Sequence, residues 1–249
     1  MIVKNEADLA GLQEICRIVA ITLKEMGEAI NPGITTKELD EIGRSALSRY
    51  GARSAPITCY NFPGHTCICV NEEVAHGIPG DRVIQEGDLV NIDVSAVKDG
   101  FYGDNGASFA VGQIKGIHKK LLECGKRALQ KAISVSMAGY PLNGIGLAVE
   151  KEAHKNGFRT IRNLCGHGVG RSLHENPESI YNYYERKDKR LLAPGLVLAI
   201  EPFISERDEY VEEQLDGWTL ITPNKSRTAQ FEHTIVVTEG APVILTLCD

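Results

Sequence analysis

Apolar residues in the first thirty positions recur every three or four residues, which is the spacing of one face of an α-helix. The stripe consists of Leu9, Leu12, Ile15, Val19, Leu23, Met26 and Ile30. Asn31-Pro32-Gly33 then ends the pattern, so a helix is predicted over residues 6 to 30. Thr35 followed three positions later by Glu38 is a capping-box signature, and it predicts a second helix that ends near Tyr50-Gly51.

The order of elements repeats along the chain. Short β-like segments separated by turn residues extend to about Gly112. A long helix is then predicted over residues 115 to 137 and a shorter one over residues 144 to 156, with strands and turns after them. His118 and His154, which have lysine neighbours on these helices, are predicted to face solvent.

Glycines and acids match between the two parts of the chain at constant offsets. One set matches Gly87 and Asp93 with Gly195 and Glu201, 108 residues later, and the other matches Asp104 and Gly112 with Glu232 and Gly240, 128 residues later. The twenty additional residues fall mostly in the polar stretch 205–216, which is predicted to be a solvated loop. The repeat predicts an α+β fold in a single domain, 1–249, with halves of about 1–112 and 113–249. Each half would consist of two helices and a hairpin with two carboxylates, so facing halves would bring four carboxylates together.

Composition excludes several classes of function. The net charge of −6 gives no reason to expect DNA binding, and no apolar run of about 18 residues is present to span a membrane. Residues 1–8 include acids where a signal peptide would have its apolar stretch. The seven cysteines are an odd number without a zinc-type Cys-x-x-Cys pair, which indicates free thiols. We therefore expect a cytoplasmic monomer, in which the charged run 185–190 is a solvated loop, with a transient ribosome contact as the alternative.

Several residues with potential ligand groups lie in strand-like or glycine-rich surroundings. Asp93 lies within an apolar run, Glu201 follows another, Glu232 precedes a third, and His167 stands between two glycines. An ionised carboxylate in a buried strand is costly unless a partner compensates it. One such acid would be explained by a salt bridge, whereas several, together with Asp104, indicate a shared partner such as a pair of metal ions.

Four carboxylates and one imidazole form an oxygen-rich ligand set, which favours manganese, iron(II) or cobalt over a structural zinc ion. Bridging carboxylates would hold two ions about 3.5–4 Å apart, and a shared water would lose its proton near neutral pH. The resulting hydroxide would attack an amide carbonyl. A free α-amino group could bind one ion, so the site would act on chain ends. His76 and His174, in turn-rich and glycine-rich segments, are candidates to donate a hydrogen bond or transfer a proton.

Longer motifs are spread over essentially the whole chain. They are Asn71-Glu72, His76-Gly77-Ile78-Pro79, Asn91-Ile92-Asp93-Val94, Gly100-Phe101-Tyr102-Gly103-Asp104, Cys165-Gly166-His167-Gly168-Val169-Gly170, Ile200-Glu201-Pro202 and Ala229-Gln230-Phe231-Glu232-His233-Thr234. In these motifs the chain resembles the type I methionine aminopeptidases, whose fold is called pita-bread. The resemblance implies an enzyme that uses two divalent metal ions to remove the N-terminal methionine of nascent proteins when the second residue is small.

The resemblance also implies how the metal ligands are divided. Asp93 would hold one ion together with Asp104 and Glu232, which bridge the two ions. His167 and Glu201 would hold the other ion with the same bridging pair. Glu201 would in addition accept a proton from the attacking water.

Further roles follow from the same resemblance. His76 would contact the nitrogen of the scissile amide, and His174 its carbonyl oxygen. The methionine pocket would be formed by Phe62, Cys67, His76, Leu173 and Trp218, with Cys59 also on its wall, and His174 would complete the substrate-binding set. Relatives commonly have aromatic residues at the positions of Cys59 and Leu173, so the pocket is expected to differ in shape. A monovalent cation is implied at Asn71, the carbonyl of Glu73 and Thr228.

Two other functions remain open at this point. A prolidase or Xaa-Pro aminopeptidase of the same fold would usually carry an extra N-terminal domain, for which we expect no room in this chain. A catalytically inactive pita-bread module that binds peptides would have lost metal ligands, whereas all five are present here. Cleavage of Ala-Pro peptides with Met-Ala-Ser inert would favour the first alternative, and binding without turnover would favour the second.

Overall fold

The computed structural model describes residues 1–248, which form α-helices and antiparallel β-sheets. The helices are α1 (Glu6–Ala29), α2 (Thr36–Arg49), α3 (Ala55–Tyr60), α4 (Gly116–Ser134) and α5 (Asn143–Lys155). The strands are β1 (Arg53–Ser54), β2 (Cys67–Val70), β3 (Glu73–Ala75), β4 (Leu89–Lys98), β5 (Phe101–Ala110), β6 (Arg159–Thr160), β7 (Cys165–Gly168), β8 (Glu175–Tyr181), β9 (Val197–Ile200), β10 (Phe203–Ser205), β11 (Glu212–Glu213), β12 (Leu220–Ile221), β13 (Thr228–Gln230), β14 (His233–Val236) and β15 (Val243–Ile244). The α+β class predicted from the pattern is confirmed.

The first pair of helices agrees with its sequence signals. α1 begins after Asn5, whose side chain accepts a hydrogen bond from the backbone N–H of Asp8. α2 has the predicted capping box: the Glu38 N–H donates to Thr35 Oγ1 at 3.1 Å, and the Thr35 N–H donates to the Glu38 carboxylate at 2.8 Å. The short helix α3 is not predicted by the apolar pattern; Ser54 caps its beginning.

The second pair, α4 and α5, also begins and ends close to the predicted positions. His154 is exposed as predicted, but His118 is only 7% exposed, so its predicted orientation toward solvent is wrong. Its side chain lies on the face of α4 that contacts β10, and His118 Nε2 lies 3.5 Å from a carboxylate oxygen of Glu206. A lysine neighbour in the sequence therefore did not identify the exposed face of the helix.

Between residues 91 and 95, β4 places its polar and apolar side chains on opposite faces of the first sheet. β4 pairs antiparallel with β5 on one side and with β2 and β1 on the other. Ile92 and Val94 are fully buried in the core with α1 and α2, whereas the alternate positions Asn91, Asp93 and Ser95 share the opposite face. The period of two along β4 thus directs Asp93 away from the apolar core.

The second sheet repeats this arrangement with longer connections. Its strand order is β15, β14, β9, β7, β8, and β9 pairs antiparallel with β14 as β4 does with β5. The chain between β9 and β14 contains β10 to β13, so the second strand pair is not a simple hairpin. Part of the stretch 205–216, predicted to be a solvated loop, is ordered: Asp208 is buried, and β11 pairs with β12, which pairs with β3.

Hydrogen bonds join the two strand pairs at their polar faces. The Thr234 hydroxyl donates to the carbonyl oxygen of Asp104 at 2.8 Å, and the Glu232 N–H donates to the carbonyl oxygen of Gly106 at 2.8 Å. Acids of both sheets are therefore close to one another. No helix within residues 1–248 combines the length and the apolar run that crossing a bilayer requires.

Candidate active site

Five side chains converge where the two strand pairs meet. Asp93 lies on β4, Asp104 on β5 and His167 on β7, while Glu201 directly follows β9 and Glu232 directly precedes β14. His167 Nε2 lies 3.6 Å from Asp104 Oδ2 and 3.5 Å from Glu201 Oε1. Potential ligand atoms of Asp104, His167 and Glu232 lie within 4.8 Å of one another. The structure thus brings the five residues into one cluster.

Burial raises the pKa of every carboxylate in this cluster. It raises the pKa of Asp93 to about 6, although a hydrogen bond with Asp104 opposes the shift. The pKa values of Asp104, Glu201 and Glu232 lie well above their usual range, first because of burial and then because of repulsion by neighbouring acids. The protein alone therefore does not compensate the negative charge of these groups.

The backbone sets the tautomer of His167. Its Nδ1 lies 3.0 Å from the carbonyl oxygen of Gly168, which can only accept a hydrogen bond, so Nδ1 carries the proton. Nε2 then has a free lone pair next to Asp104 and Glu201. Burial also lowers the pKa of His167 to about 3, which keeps the ring neutral. A neutral imidazole held in this way can act as a metal ligand.

Three buried carboxylate oxygens in the cluster have no hydrogen-bond partner among residues 1–248. They are Asp93 Oδ1, Asp104 Oδ1 and Glu232 Oε1. A buried acceptor without a partner costs about 1–3 kcal/mol, and more if it is charged. A divalent cation would satisfy these oxygens and favour their ionised forms, and oxygen ligands with one imidazole suit such an ion. The residues present therefore fit a divalent metal centre.

Gln230 holds one of these acids in place, and the sequence analysis did not identify it. Its Nε2 donates to Glu232 Oε2 at 3.1 Å, and its Oε1 accepts from Asn91 Nδ2 at 2.8 Å. Gln230 is 2% exposed, so both amide groups are used inside the protein. The available signal was its place two residues before Glu232 in the motif that carries that acid.

A cavity of about 380 Å³ opens beside the acids. Of the predicted substrate-binding residues, the structure places on its wall Phe62, Cys67, His76, Leu173, His174 and Trp218. Phe62 and Trp218 meet edge to face, with ring centroids 5.2 Å apart. Phe62, Cys67 and Leu173 are buried, so this side of the cavity is an apolar slot. The wall also includes residues that the sequence analysis did not single out, namely Pro56, Tyr60, Ala75, Ser95, Asn163, Leu164, Cys165, Glu178 and Phe203.

His76 and His174 stand on the cavity wall in loops. His76 follows β3 and has φ of 55°, in the left-handed region that a residue with a side chain rarely adopts. Such backbone strain is common where a side chain is directed into a functional site. His174 lies in the loop between β7 and β8, and its ring centroid is 4.1 Å from that of His167. Its Nδ1 lies 2.6 Å from the hydroxyl oxygen of Tyr60.

Cys59 does not belong to the wall, contrary to the sequence prediction. It is exposed, and its thiol lies 3.8 Å from the hydroxyl of Tyr102. Pro56 and Tyr60 line the cavity instead. They are four residues apart on α3 and so share one face of that helix, which the apolar pattern gave no means of recognising.

Two of the three residues expected around a monovalent cation lie on neighbouring strands, and the third, Asn71, lies in the turn before β3. Asn71 has φ of 65°, its amide nitrogen donates to Asp88 and its amide oxygen accepts from the Leu89 N–H. Glu73 begins β3, which β13 contacts, and Thr228 begins β13. The structure thus brings the two elements together.

The chain is similar over nearly its whole length to known proteins. Residues 10–239 match the sequence profile of metallopeptidase family M24. Methionine aminopeptidase 2 of Bacillus subtilis (strain 168) is 51% identical over 99% of both chains. The crystal structure of methionine aminopeptidase from Thermotoga maritima has a TM-score of 0.95 and 37% identity, over 99% of both chains.

A more distant structure defines the fold further. Prolidase from Pyrococcus furiosus has a TM-score of 0.80 at 23% identity, and the match covers 100% of this chain and 66% of the prolidase. At that identity the likeness concerns the fold alone. Together the structural matches confirm the pita-bread fold that the motifs implied. With a family match over most of its length and half-identical relatives, the chain belongs to metallopeptidase family M24.

Proposed function

We propose that this protein is a type I methionine aminopeptidase, a hydrolase that removes the N-terminal methionine of nascent proteins when the second residue is small. The observation that carries the proposal is the cluster of buried, uncompensated acids at one end of an apolar slot. The alignment with methionine aminopeptidase 2 of Bacillus subtilis covers 99% of both chains, so the two proteins do not differ by a large internal insertion.

The cluster would hold two divalent ions. Asp93 would bind one and His167 with Glu201 the other, with Asp104 and Glu232 between them. When bound, the ions supply Lewis acidity, which polarises a carbonyl and makes a water more acidic. The oxygen-rich ligand set favours manganese, iron(II) or cobalt.

Side chains of the cavity would then act on the substrate. Glu201, next to His167 and open to the cavity, is placed to accept a proton from the attacking water. His76 and His174 are placed to bind the nitrogen and the carbonyl oxygen of the scissile amide. Such contacts fix the amide in position and stabilise the charge that develops on its oxygen.

The apolar slot accounts for methionine selectivity. Phe62, Trp218 and Leu173 would contact an unbranched thioether, and the edges of aromatic rings attract sulfur. Cys67, buried beside Asp93 on the neighbouring strand, would limit the depth of the slot. Crowding at the next position would admit only small side chains.

Other expectations extend the same proposal. Asn71, the Glu73 carbonyl and Thr228 would bind a monovalent cation, supported by the contact of β3 with β13. A reducing cytoplasm would suit the buried thiols of Cys16 and Cys69. The enzyme would act as a monomer, and its partners would be the N-terminal peptides of nascent chains, with a transient ribosome contact.

The test is methionine release by protein reconstituted with Mn²⁺, Fe²⁺, Co²⁺ or Zn²⁺. We expect Met-Ala-Ser to be cleaved, and Met-Leu-Ser and Ala-Pro peptides to remain intact. Asp93→Ala should abolish turnover because it removes a ligand, whereas Asp81→Ala, which changes an exposed acid, should not. Cleavage of Ala-Pro peptides with Met-Ala-Ser inert would show a proline-directed peptidase. Peptide binding without turnover would show an inactive binding module.

A further inference from the structure

Tyr60 makes a short contact with one of the histidines on the cavity wall. Its hydroxyl oxygen lies 2.6 Å from His174 Nδ1, and the two rings are 5.6 Å apart in a tilted arrangement. We propose that Tyr60 is a positioning residue for His174: its hydroxyl donates to Nδ1 and holds the imidazole as the Nε2–H tautomer. The inference rests on the proposed function, in which His174 binds the carbonyl oxygen of the substrate.

The direction of this hydrogen bond decides what His174 can do. A neutral imidazole carries one ring proton, so a nitrogen that accepts a hydrogen bond leaves the proton on the other nitrogen. With Nδ1 accepting from Tyr60, Nε2 carries the proton and can donate to a carbonyl oxygen. The opposite tautomer would present a lone pair to that oxygen and repel it.

The neighbouring histidine is held in the opposite state. His167 donates from Nδ1 to the Gly168 carbonyl, so its Nε2 is free to act as a metal ligand. The two rings are only 4.1 Å apart. Tyr60 and the Gly168 carbonyl would thus give two adjacent imidazoles different tasks, one as a ligand and one as a hydrogen-bond donor.

Both partners of the contact stand on anchored backbone. Tyr60 ends α3, and the next residue, Asn61, closes the helix in the left-handed conformation with its N–H bonded to Ile57 O at 3.1 Å. The loop that carries His174 is fastened by Glu175, which accepts from the Arg171 N–H at 2.7 Å. Because the Tyr60 side chain is 46% exposed, we expect the bond to matter for orientation rather than for stability.

The experiment compares Tyr60→Phe with the wild type by two measurements. The first is ¹⁵N NMR of histidine-labelled full-length protein loaded with diamagnetic Zn²⁺, which reports the tautomer of His174. We expect the Nε2–H form in the wild type and a mixture in Tyr60→Phe.

The second measurement is steady-state cleavage of Met-Ala-Ser by Mn²⁺-loaded enzyme. We expect kcat to fall roughly 10-fold, the lower end for partners that orient a functional group, with KM nearly unchanged.

Two controls separate positioning from a general loss. Tyr140→Phe removes a hydroxyl from a side chain of similar exposure, 49%, outside the cavity wall, and it should change neither measurement. In a His174→Ala background, Tyr60→Phe should cause no further loss of kcat, because the two residues act as a unit.

The proposal is wrong if wild-type His174 is the Nδ1–H tautomer. It is also wrong if Tyr60→Phe leaves both the His174 resonances and kcat unchanged. The same holds if the decrease in kcat caused by Tyr60→Phe adds to the decrease caused by His174→Ala. The NMR measurement requires no turnover. A wild type that does not release methionine would therefore overturn the proposed function, while the tautomer would still decide whether Tyr60 holds His174.

Discussion

Gln230 shows how much of a ligand cluster depends on residues that are not ligands. Glu232 can approach a metal ion in one orientation only if something holds its second oxygen, and Gln230 Nε2 does so at 3.1 Å. The amide is itself fixed, because Asn91 donates to its oxygen at 2.8 Å. Groups that orient ligands in this way contribute to metal affinity without contacting the metal.

Gln230→Ala should therefore weaken metal binding while leaving all five proposed ligands in the chain. We expect the affinity for Mn²⁺ to fall roughly 10- to 100-fold, measured by calorimetry on metal-free protein. Gln214→Ala, which changes an exposed glutamine, is the matched control and should bind Mn²⁺ as the wild type does. An unchanged affinity in Gln230→Ala would show that Glu232 is held by other contacts.

At the scale of elements, the hairpin of β4 and β5 makes the polar face of the site. Asp93 pairs with Gly106 across the two strands, and this glycine leaves space for the Gln230 amide. A Cβ at Gly106 would lie 2.6 Å from both the nitrogen and the oxygen of that amide. Because Gln230 is buried and bonded at both ends, it cannot move aside cheaply.

Gly106→Ala should consequently disturb both stability and metal binding. We expect the free energy of unfolding, measured by urea denaturation, to fall by about 1–3 kcal/mol, which is the usual cost of overpacking a tight interior. Gly116→Ala is the control, since nothing lies within 4 Å of an added Cβ at the start of α4. Wild-type stability and Mn²⁺ affinity in Gly106→Ala would mean that Gln230 does not fix Glu232.

Elements with strong local signals could be predicted from the sequence, and elements that depend on tertiary contacts could not. The capping box at Thr35 and the apolar stripe of α1 are local, so both helices were placed well. α3 lacks such a stripe over its six residues, and for that reason Tyr60 was missed and Cys59 was placed wrongly on the cavity wall. β11 pairs with β12, and β12 pairs in turn with β3, a partner far away in sequence.

The candidate site follows the same division. The acids could be grouped because each stands in an unusual position along a strand, and the offsets related Asp93 to Glu201. The hydrogen bond between Tyr60 and His174 joins residues 114 positions apart, so the local sequence pattern around either residue does not predict it. His118 was misjudged because burial on α4 depends on β10, which packs against it.

At the scale of the whole molecule, the cluster of buried acids destabilises the folded protein when no metal is bound. Both sheets contribute acids to a buried point, and their raised pKa values mean that the metal-free folded state binds protons that the unfolded chain would release. For acids with raised pKa values, stability is lost as the pH rises from the unfolded values through the folded ones. His167, with a pKa near 3, stays neutral above pH 6.5 and does not contribute there.

The metal-free protein should therefore melt at a lower temperature at pH 8 than at pH 6.5, and metal should reverse this trend. Metal ligands must be deprotonated, so binding strengthens as the pH rises. With Mn²⁺ at one fixed concentration, about 100 times its Kd at pH 8, stabilisation at pH 8 is about 2.7 kcal/mol, or roughly 5–10 °C in Tm for a chain of this size. Differential scanning fluorimetry with EDTA or Mn²⁺ at both pH values measures the gap in Tm between the metal-free and the Mn²⁺-loaded protein. We expect this gap to be wider at pH 8 than at pH 6.5. Asp93→Asn should narrow the gap and raise the Tm of the metal-free protein, because it removes a buried charge. An equal gap at both pH values in the wild type would show that these acids do not bind the metal.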